Sequence, residues 1–406
     1  MASPETVVEF EDIRFKPSGE GVRAWFLGQY YFDLSDGELS SVGEFRVSDG
    51  SLVFSEREKR VRNKFDRLLA DGFSRLKHRV RDKPCTYVHR NSGIPLVGSN
   101  EFGVVDRGSN VLEVKPLTGC NLSCSFCSVS EGENDKRDVV VESEYLVDTF
   151  KELSSLKSHP VEANIGPQGE PLLYPKLGGL VRGLKEAGAA VVSMNSNGTL
   201  LSEKLVDDLA EAGLDRINLS LHTLDQSLAD EIMGGHQDVG RLRRLVRYCE
   251  GKVDVLLAPV LLPGVTDGEL DSLIGLAKTV RNSRWPAMGV QNFLSYPGGR
   301  NPGLAERSWD DFYELLREKE SEHGFPLLVD EGAFDIHSEP SLEKPFHKGD
   351  VVVVLVRSPG RNEDEWLCAA ADRVVTVRGC SGCSPGKSLK VRLLRDKHNI
   401  FTAVPS

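Results

Sequence analysis

The middle of the chain alternates between two patterns of apolar and polar residues. Short runs rich in β-branched residues predict strands, and longer stretches with apolar residues three and four positions apart predict amphipathic helices. The predicted strands are 110–115, 161–165, 189–195, 215–221, 252–259 and 287–293. The predicted helices are 142–157, 177–187, 202–212, a segment ending near Cys249, and 268–280.

Six strand–helix repeats in succession predict an α/β fold built on a parallel sheet with right-handed crossovers. We expect a partial (β/α)6 barrel, closed or partly closed, over residues 106–335. In such barrels the chemistry lies in the loops at the carboxyl ends of the strands. The residues that directly follow each predicted strand are therefore the first candidates for a functional site.

The ends of the chain follow other patterns. Five short predicted strands, separated by turn residues, predict a small β-barrel of the oligonucleotide-binding type over 344–406. Residues 1–105 form a predicted N-terminal α+β extension: short strands within 22–54, then a basic helical stretch over 57–83 interrupted at Asp71-Gly72. That stretch holds 11 Lys and Arg against 4 Asp and Glu. Such a helix is usually a solvated face, although it could also contribute to RNA binding.

Composition narrows the class of protein. A chain of 406 residues, 39% hydrophobic and 27% charged, is typical of two or three folded domains. No apolar run approaches the length of about 18 residues that a membrane span needs, and the acidic start is unlike a secretory signal, so we expect a cytoplasmic protein without membrane contact. The net charge of −11 argues against nucleic acid at first sight. However, residues 344–406 carry +5 and the rest −16, so the total does not exclude an RNA partner.

Three of the eight cysteines are close together, as Cys120, Cys124 and Cys127 in a C-x3-C-x2-C run. A reducing compartment would not keep a disulfide here, and zinc normally takes four ligands, with no fourth Cys or His nearby. Three thiolates on one loop fit a four-iron cluster with one iron left open. A chance cluster of cysteines or a zinc site remains the alternative.

This spacing, with Phe126 before the third cysteine, resembles the radical S-adenosylmethionine (radical SAM) superfamily. The resemblance implies a [4Fe-4S] cluster whose open iron binds the amino and carboxylate groups of S-adenosylmethionine. A reductant such as flavodoxin or ferredoxin would supply the electron that gives methionine and a 5′-deoxyadenosyl radical. That radical would then take a hydrogen atom from the substrate.

Other strand ends add to the resemblance. The segment Gly166-Pro-Gln-Gly169-Glu170-Pro171 resembles the family's GGEP element, with Gln168 in place of its first glycine. Without the resemblance, His222 would be interpreted as an ordinary core histidine. The residues that the resemblance implies for cofactor binding are Phe126, Gly169, Glu170, Ser196, Asn197, Ser220, His222 and Gln291.

The C-terminal segment resembles a TRAM domain, an appendage of RNA-modifying enzymes, in Lys348-Gly-Asp-Val-Val-Val and Pro385-Gly-Lys-Ser-Leu-Lys-Val-Arg-Leu. Strand alternation predicts that Lys390 and Arg392 point outward. A solvated small β domain is the alternative. Three further cysteines in this segment, Cys368, Cys380 and Cys383, could bind a second metal or cluster, or they could be inert. The sequence leaves both roles open. The candidate RNA contacts are Lys387, Lys390, Arg392 and Arg395.

The leading hypothesis is a radical SAM enzyme that modifies RNA, with transfer RNA as the first candidate. Chemistry on a small molecule is the second hypothesis, because the stretch 197–220 resembles the molybdenum-cofactor cyclase, whose closing cysteine pattern and terminal glycines are absent here. Modification of a peptide is the third. The sequence does not indicate which residues contact the substrate, so the catalytic residues stay unassigned.

Overall fold

The computed structural model describes residues 4–19, 21–132 and 135–406. Contacts divide the chain into two compact units. The first comprises the chain up to residue 88 with the short segments 135–140 and 360–363, and the second comprises the remainder. No helix in the described ranges is long and apolar enough to cross a membrane.

Two antiparallel sheets and a long helix make up most of the first unit. The four-stranded sheet has the order β2-β3-β4-β7 and the three-stranded sheet the order β1-β6-β5. Burial alternates along the strands of the larger sheet, so that it has one apolar and one polar face. The elements are β1 (Thr6–Val8), β2 (Ile13–Ser18), β3 (Gly21–Phe26), β4 (Tyr30–Ser35), α1 (Asp36–Val42), β5 (Phe45–Ser48), β6 (Ser51–Phe54), α2 (Glu58–Ser74), β7 (Lys77–His78) and β8 (Cys85–Val88).

The predicted interruption of the basic helix at Asp71-Gly72 is wrong, because α2 continues to Ser74. Gly72 lies where helix α2 packs against the four-stranded sheet. A Cβ atom there would lie 2.3 Å from the ring of Phe32, which is buried in the sheet below. A glycine inside a helix costs stability, and here its missing side chain allows the helix to approach the sheet.

The second unit contains the predicted strand–helix repeats. The same stretch of chain includes the short strand β11, which follows the cysteine loop; residues 138–140 of this strand belong to the first unit, where β11 pairs with β8. The elements are β9 (Gly103–Asp106), β10 (Val111–Lys115), β11 (Asp138–Val141), α3 (Ser143–Ser154), β12 (Glu162–Ile165), α4 (Leu177–Glu186), β13 (Val191–Ser196), α5 (Glu203–Ala212), β14 (Arg216–Leu219), α6 (Gln226–Met233), α7 (Val239–Tyr248), β15 (Asp254–Leu257), β16 (Val260–Leu261), α8 (Leu270–Ala277), β17 (Gln291–Asn292) and α9 (Trp309–His323).

Five of these strands form a parallel sheet in chain order, β10-β12-β13-β14-β15, as expected for a partial barrel. The sixth predicted strand is shorter than expected. Only Gln291–Asn292 pairs as a strand, with β16, and Gly289 is joined to Leu257 by a backbone hydrogen bond of 2.9 Å. The α/β barrel prediction is therefore confirmed, with a shortened last strand.

Three features of this unit differ from the prediction. The strand β9, antiparallel to β10, and the helix α9 were not predicted. The single helix expected before Cys249 is two helices, because α6 ends at Gly234, whose backbone takes the left-handed conformation with φ +58°.

The end of the chain forms a closed five-stranded barrel in the order β18-β19-β20-β22-β21. All five predicted strands are present. Cys380 and Cys383 lie side by side, with Cα atoms 5.9 Å apart, close enough to form a disulfide under oxidising conditions, and Cys368 is a free, buried thiol. The elements are β18 (Val351–Pro359), β19 (Glu365–Ala370), β20 (Arg373–Arg378), β21 (Ser388–Arg395) and β22 (Thr402–Pro405).

Candidate active site

The cysteine loop follows β10 and is fastened to the end of α6. The backbone N–H of Ser123 donates to the Met233 carbonyl over 3.1 Å, and that of Ser125 donates to the Ile232 carbonyl over 2.9 Å. Gly234 permits this approach, because a Cβ atom there would lie 2.4 Å from the Ser123 carbonyl oxygen. The loop is therefore held by the barrel scaffold on one side.

The three cysteines have the surroundings of an iron–sulfur site. Burial raises the pKa of Cys124 to about 12 and that of Cys120 well above its usual value, so these two side chains are thiols until a metal centre deprotonates them. All three are free, and within the described ranges their sulfur atoms do not form a set lying within 4.8 Å of one another. A single ion would need such a set, whereas three thiolates that bind different irons of one cluster do not. The donor set therefore fits a [4Fe-4S] cluster with one open iron.

Arg300, which sequence reasoning missed, clamps this loop from the other side. Its guanidinium donates to the Cys124 carbonyl over 3.1 Å and to the Glu131 carbonyl over 2.7 Å, and its backbone N–H donates to the Cys127 carbonyl over 2.8 Å. The preceding Gly299 must lack a side chain, since a Cβ atom would lie 2.8 Å from the Ser128 carbonyl oxygen. A cation at this place also suits an anionic cluster.

We expect Arg300→Gln to loosen this loop. Hydrogen bonds from a charged group contribute about 1.5–3 kcal/mol each, and a glutamine side chain is too short to reach both carbonyls. After anaerobic reconstitution, the variant should lose iron to a chelator at least about 10-fold faster than the wild type, because even one such bond of about 1.5 kcal/mol corresponds to about a factor of ten. Arg281→Gln is the matched control, because the exposed Arg281 guanidinium donates to backbone carbonyls of its own segment, those of Lys278 and Val280, and not to the cysteine loop. Equal iron loss in the two variants would contradict the clamp.

The segment after β12 packs directly on the backbone that precedes Cys120. A Cβ atom on Gly169, whose φ is +65°, would lie 2.6 Å from the Gly119 carbonyl oxygen. The Glu170 carboxylate is buried and accepts hydrogen bonds of 2.8 Å from the Ser196 hydroxyl and from the Asn197 backbone N–H. Burial raises the pKa of Glu170 to about 6, against these hydrogen bonds. Glu170 thus links the ends of β12 and β13.

Gln168, the departure from the family's GGEP element, has a structural role. Its side chain is 1% exposed and donates a hydrogen bond to the carboxylate of Glu131. The Glu131 backbone N–H in turn points to the Cys127 sulfur over 3.4 Å. A glycine at position 168 could not hold Glu131, so Gln168 connects the segment after β12 to the end of the cysteine loop.

Amide side chains connect the loop to the end of β13. The Asn197 amide donates to the Asn121 side chain over 3.0 Å, and the Asn121 amide donates to the Thr199 hydroxyl over 2.7 Å. The Gln237 amide donates to the carbonyls of Asn197 and Ser220 over 2.8 and 2.9 Å. Asn121, Thr199 and Gln237 were not among the predicted site residues.

His222 lies beside Phe126, with their rings edge to face and centroids 4.9 Å apart. Burial lowers the pKa of His222 to about 4, and its Nδ1 accepts the Val260 backbone N–H over 2.9 Å. The ring is therefore neutral, and its proton is on Nε2. Of the remaining predicted residues, Ser220 bonds through its backbone to Ser196, whereas Gln291 is exposed on β17 and takes no part in the contacts described above.

The inner face of the barrel sheet is polar. Asn164, Asn195 and Asn218 lie on neighbouring strands, on the face opposite the apolar residues beneath the helices. In the strand register Asn164 is opposite Ser193, and Asn195 is opposite Asn218. The Asn218 amide donates to the Asn195 side chain over 2.7 Å, and the Asn164 amide donates to the Ser193 hydroxyl over 2.7 Å. Arg216 closes this row, with its Nε 2.9 Å from the Asn218 side-chain oxygen. We call Asn164, Ser193, Asn195 and Asn218 the amide row.

The amide row is unusual for a barrel interior, which branched apolar side chains normally fill. Its three asparagines are half-buried rather than packed away. Half-buried amides inside a barrel offer both donors and acceptors to a polar, planar ligand.

Comparison with known proteins identifies the family. A family model described as the radical SAM superfamily matches residues 114–277. The chain is 37% identical over 359 residues to an uncharacterized protein of Methanocaldococcus jannaschii, covering 81% of this chain and 82% of that protein. It is 32% identical over 278 residues to a GTP 3′,8-cyclase of Chlorobaculum tepidum, covering 66% and 76%. It spans about half to two thirds of the archaeal probable GTP 3′,8-cyclases that it also matches.

Among solved structures, Streptococcus suis SuiB bound to S-adenosylmethionine matches with 16% identity and a TM-score of 0.42, covering 79% of this chain and 72% of that one. The family model spans the loop of Cys120, Cys124 and Cys127, whose surroundings fit a cluster with an open iron. The chain belongs to the radical SAM superfamily and is an enzyme that uses a [4Fe-4S] cluster and S-adenosylmethionine.

Proposed function

We propose that this radical SAM enzyme modifies RNA, with transfer RNA as the first candidate. The observation that carries the proposal is the row of exposed cations along the C-terminal barrel. Lys390 and Arg392 lie on the outer side of β21, where they alternate with the buried Val391 and Leu393. Lys387, just before this strand, and Arg395, at its end, are also exposed. A cationic strand on a small closed barrel suits a phosphate backbone.

We propose that Cys120, Cys124 and Cys127 hold the cluster. The segment 169–170, Ser196–Asn197 and the neutral His222 would then border the bound S-adenosylmethionine. When bound, the two cofactors together supply the 5′-deoxyadenosyl radical. The protein's own contribution is positioning: Glu170 fixes the β13 end, Phe126 rests on His222, and Arg300 holds the loop.

The amide row gives the substrate class its second support. An enzyme that acts on a base must take it out of the stack and read its polar edge in a pocket. Asparagine amides match the donor and acceptor pairs on nucleobase edges. We propose that the amide row receives the target base inside the barrel.

The RNA proposal predicts that Lys390→Ala combined with Arg392→Ala weakens binding of transfer RNA to the full chain. Each lost phosphate contact should reduce the slope of log K against log salt by about 0.7–0.9, so the double variant should lose about 1.4–1.8. A salt series of binding isotherms measures both affinity and slope. Lys204→Ala combined with Arg243→Ala removes the same charge from exposed helix surfaces and is the control. An unchanged slope in the first variant, or an equal change in both, would contradict the proposed surface.

The modified nucleoside can be found directly. Cells lacking the gene should lack one RNA nucleoside that returns with the wild-type gene, as measured by mass spectrometry of digested RNA. The same nucleoside should stay absent with a gene in which the three loop cysteines are replaced. An identical nucleoside profile with and without the gene would contradict RNA modification.

A second candidate function is radical chemistry on a purine nucleotide such as GTP. It is favoured by the 32% identity to the Chlorobaculum tepidum GTP 3′,8-cyclase over 76% of that enzyme. The reconstituted protein, incubated with GTP, S-adenosylmethionine and a reductant, would then convert GTP into a product of different mass or chromatographic mobility. GTP recovered unchanged, together with a nucleoside missing from RNA, favours the RNA proposal.

The enzyme needs an electron donor, because its superfamily uses reductive cleavage of S-adenosylmethionine. We propose flavodoxin or ferredoxin as that partner and the cytoplasm as the location. The support is chemical: three free cysteines that serve as iron ligands need a reducing compartment.

A further inference from the structure

We propose that the polar face of the four-stranded sheet in the first unit is a second RNA-binding surface, with a single-stranded base stacked on Trp25. The inference deepens the proposed function and rests on it, since it takes RNA as the substrate. It arises from residues that the RNA hypothesis had not used. The sequence pattern had singled out the basic helix α2 in this unit rather than the sheet beside it.

The strand register brings cations and aromatic rings together on this face. Arg14 on β2 lies opposite Trp25 on β3, and Trp25 lies opposite Tyr31 on β4. Lys16 on β2 likewise lies opposite Arg23 on β3, two residues further along β2 than Arg14. The opposite face of β2 and β3 is the buried core, so Arg14, Lys16, Arg23 and Trp25 lie on the solvent side. Tyr31 shares their face through the strand register, but its side chain is buried, with the Arg23 guanidinium over its ring. We call Arg14, Lys16, Arg23, Trp25 and Tyr31 the aromatic-basic face.

The cations near Tyr31 and those near Trp25 differ in whether they are available to bind a ligand. Arg23 is already engaged: its guanidinium lies 4.0 Å from the Tyr31 ring centroid and pairs with Asp33 through two hydrogen bonds of 2.7 and 2.9 Å. Arg14 and Lys16 form no ion pair with a carboxylate in the described part of the chain, and both are exposed. The available positive charge is therefore next to Trp25, rather than next to Tyr31.

A cavity of about 400 Å³ opens at the same place. Trp25 lines it together with Arg14 and Lys16, and Arg79 contributes a third cation without a carboxylate partner among the described residues. Glu11 is exposed on its wall, and its carboxylate can accept hydrogen bonds from a base. A half-buried indole, cations suited to phosphate and a carboxylate suited to amino groups together match a nucleotide unit of a single strand.

Aromatic side chains flanked by cations are a common means of binding single-stranded nucleic acids. Aromatic side chains on an antiparallel sheet stack bases, and neighbouring cations contact the backbone. Stacking tolerates every base, so this surface would hold the strand without selecting its sequence. We infer that it binds an unpaired part of the RNA.

The test uses the full chain and a short oligouridylate as the probe, alongside a transfer RNA transcript. Trp25→Leu keeps an apolar side chain but removes the ring, and should weaken oligouridylate binding about 10-fold, within the range expected for one stacked base. Trp25→Phe should restore most of the affinity. Arg14→Ala combined with Lys16→Ala should reduce both the affinity and the salt slope. Lys59→Ala combined with Arg62→Ala removes the same charge from the exposed side of α2 and should leave both unchanged.

The outcomes separate this inference from the proposed function. If transfer RNA binds and is modified but Trp25→Leu and the Arg14 and Lys16 variant bind oligouridylate like the wild type, the second surface is refuted and the function stands. If the RNA nucleoside profile does not depend on the gene, the function fails whatever Trp25 does. If polyglutamate competes with oligouridylate as well as RNA does, the face binds acidic polymers in general, and the stacking inference is overturned.

Discussion

Replacing Cys120, Cys124 and Cys127 together by alanine should abolish cluster binding and reductive cleavage of S-adenosylmethionine. The wild type should take up about four irons per chain on anaerobic reconstitution, and the triple variant close to none. The reason is local: the other free cysteines of the described residues, Cys85, Cys249 and Cys368, lie outside this loop and cannot replace its three thiols. Iron and sulfide analysis, together with production of 5′-deoxyadenosine, measure the effect.

The matched control removes three other thiols. Cys85, Cys249 and Cys368 are free and buried, and they lie outside the loop. Their combined replacement by alanine deletes the same number of sulfur atoms from the core and should leave iron uptake near the wild-type level. Circular dichroism confirms that both triple variants are folded. Normal iron content in the loop variant, or an equal loss in the control, would contradict the assignment of the cluster ligands.

The sequence predicted the parts of the site that follow from local pattern. The barrel strands were recognised by their β-branched residues, and the loop by its cysteine spacing, because both signals lie within a few neighbouring residues. Glu170 was predicted for the same reason. Its bonds to Ser196 and Asn197 then joined two strand ends that the parallel topology had already placed side by side.

Residues that act at a distance along the chain escaped prediction. Arg300 is more than 170 residues from Cys124, and only the folded barrel brings its guanidinium to that carbonyl. The sole local signal was the Gly298-Gly299-Arg300 turn after the last strand. The amide row could not be predicted from the sequence either. Its three asparagines lie on separate strands, and only the strand register shows that they are neighbours.

The aromatic-basic face shows the same limit in the first unit. The strands around Trp25 were predicted, but the partner strand and register decide which residues share a face. A charge count drew attention to helix α2, where several cations pair with nearby carboxylates. On the sheet, Arg14 and Lys16 form no such ion pair among the described residues, and the strand register places both near Trp25.

The second large effect is expected from Gly169→Ala. The added Cβ atom would lie 2.6 Å from the Gly119 carbonyl oxygen and 2.8 Å from the Thr118 carbonyl carbon, closer than real contacts allow. Because both neighbours are backbone atoms, neither can rotate away. Either the cysteine loop or the segment bearing Glu170 must shift. A displacement near 1 Å at a reacting site costs about 100-fold in rate, and we expect S-adenosylmethionine cleavage to fall by that order.

Gly188→Ala provides the control for backbone strain. Gly188 also has a positive φ, +99°, but a Cβ atom there would meet nothing within 4 Å. Both alanine variants should therefore lose stability by about 1–2 kcal/mol through the left-handed backbone. Only Gly169→Ala should also lose cleavage activity and weaken S-adenosylmethionine binding, measured by 5′-deoxyadenosine formation and by equilibrium binding to the reconstituted protein. If the two variants lose the same small fraction of activity, the contact between Gly169 and the cysteine loop does not control the site, and strain alone explains the need for glycine.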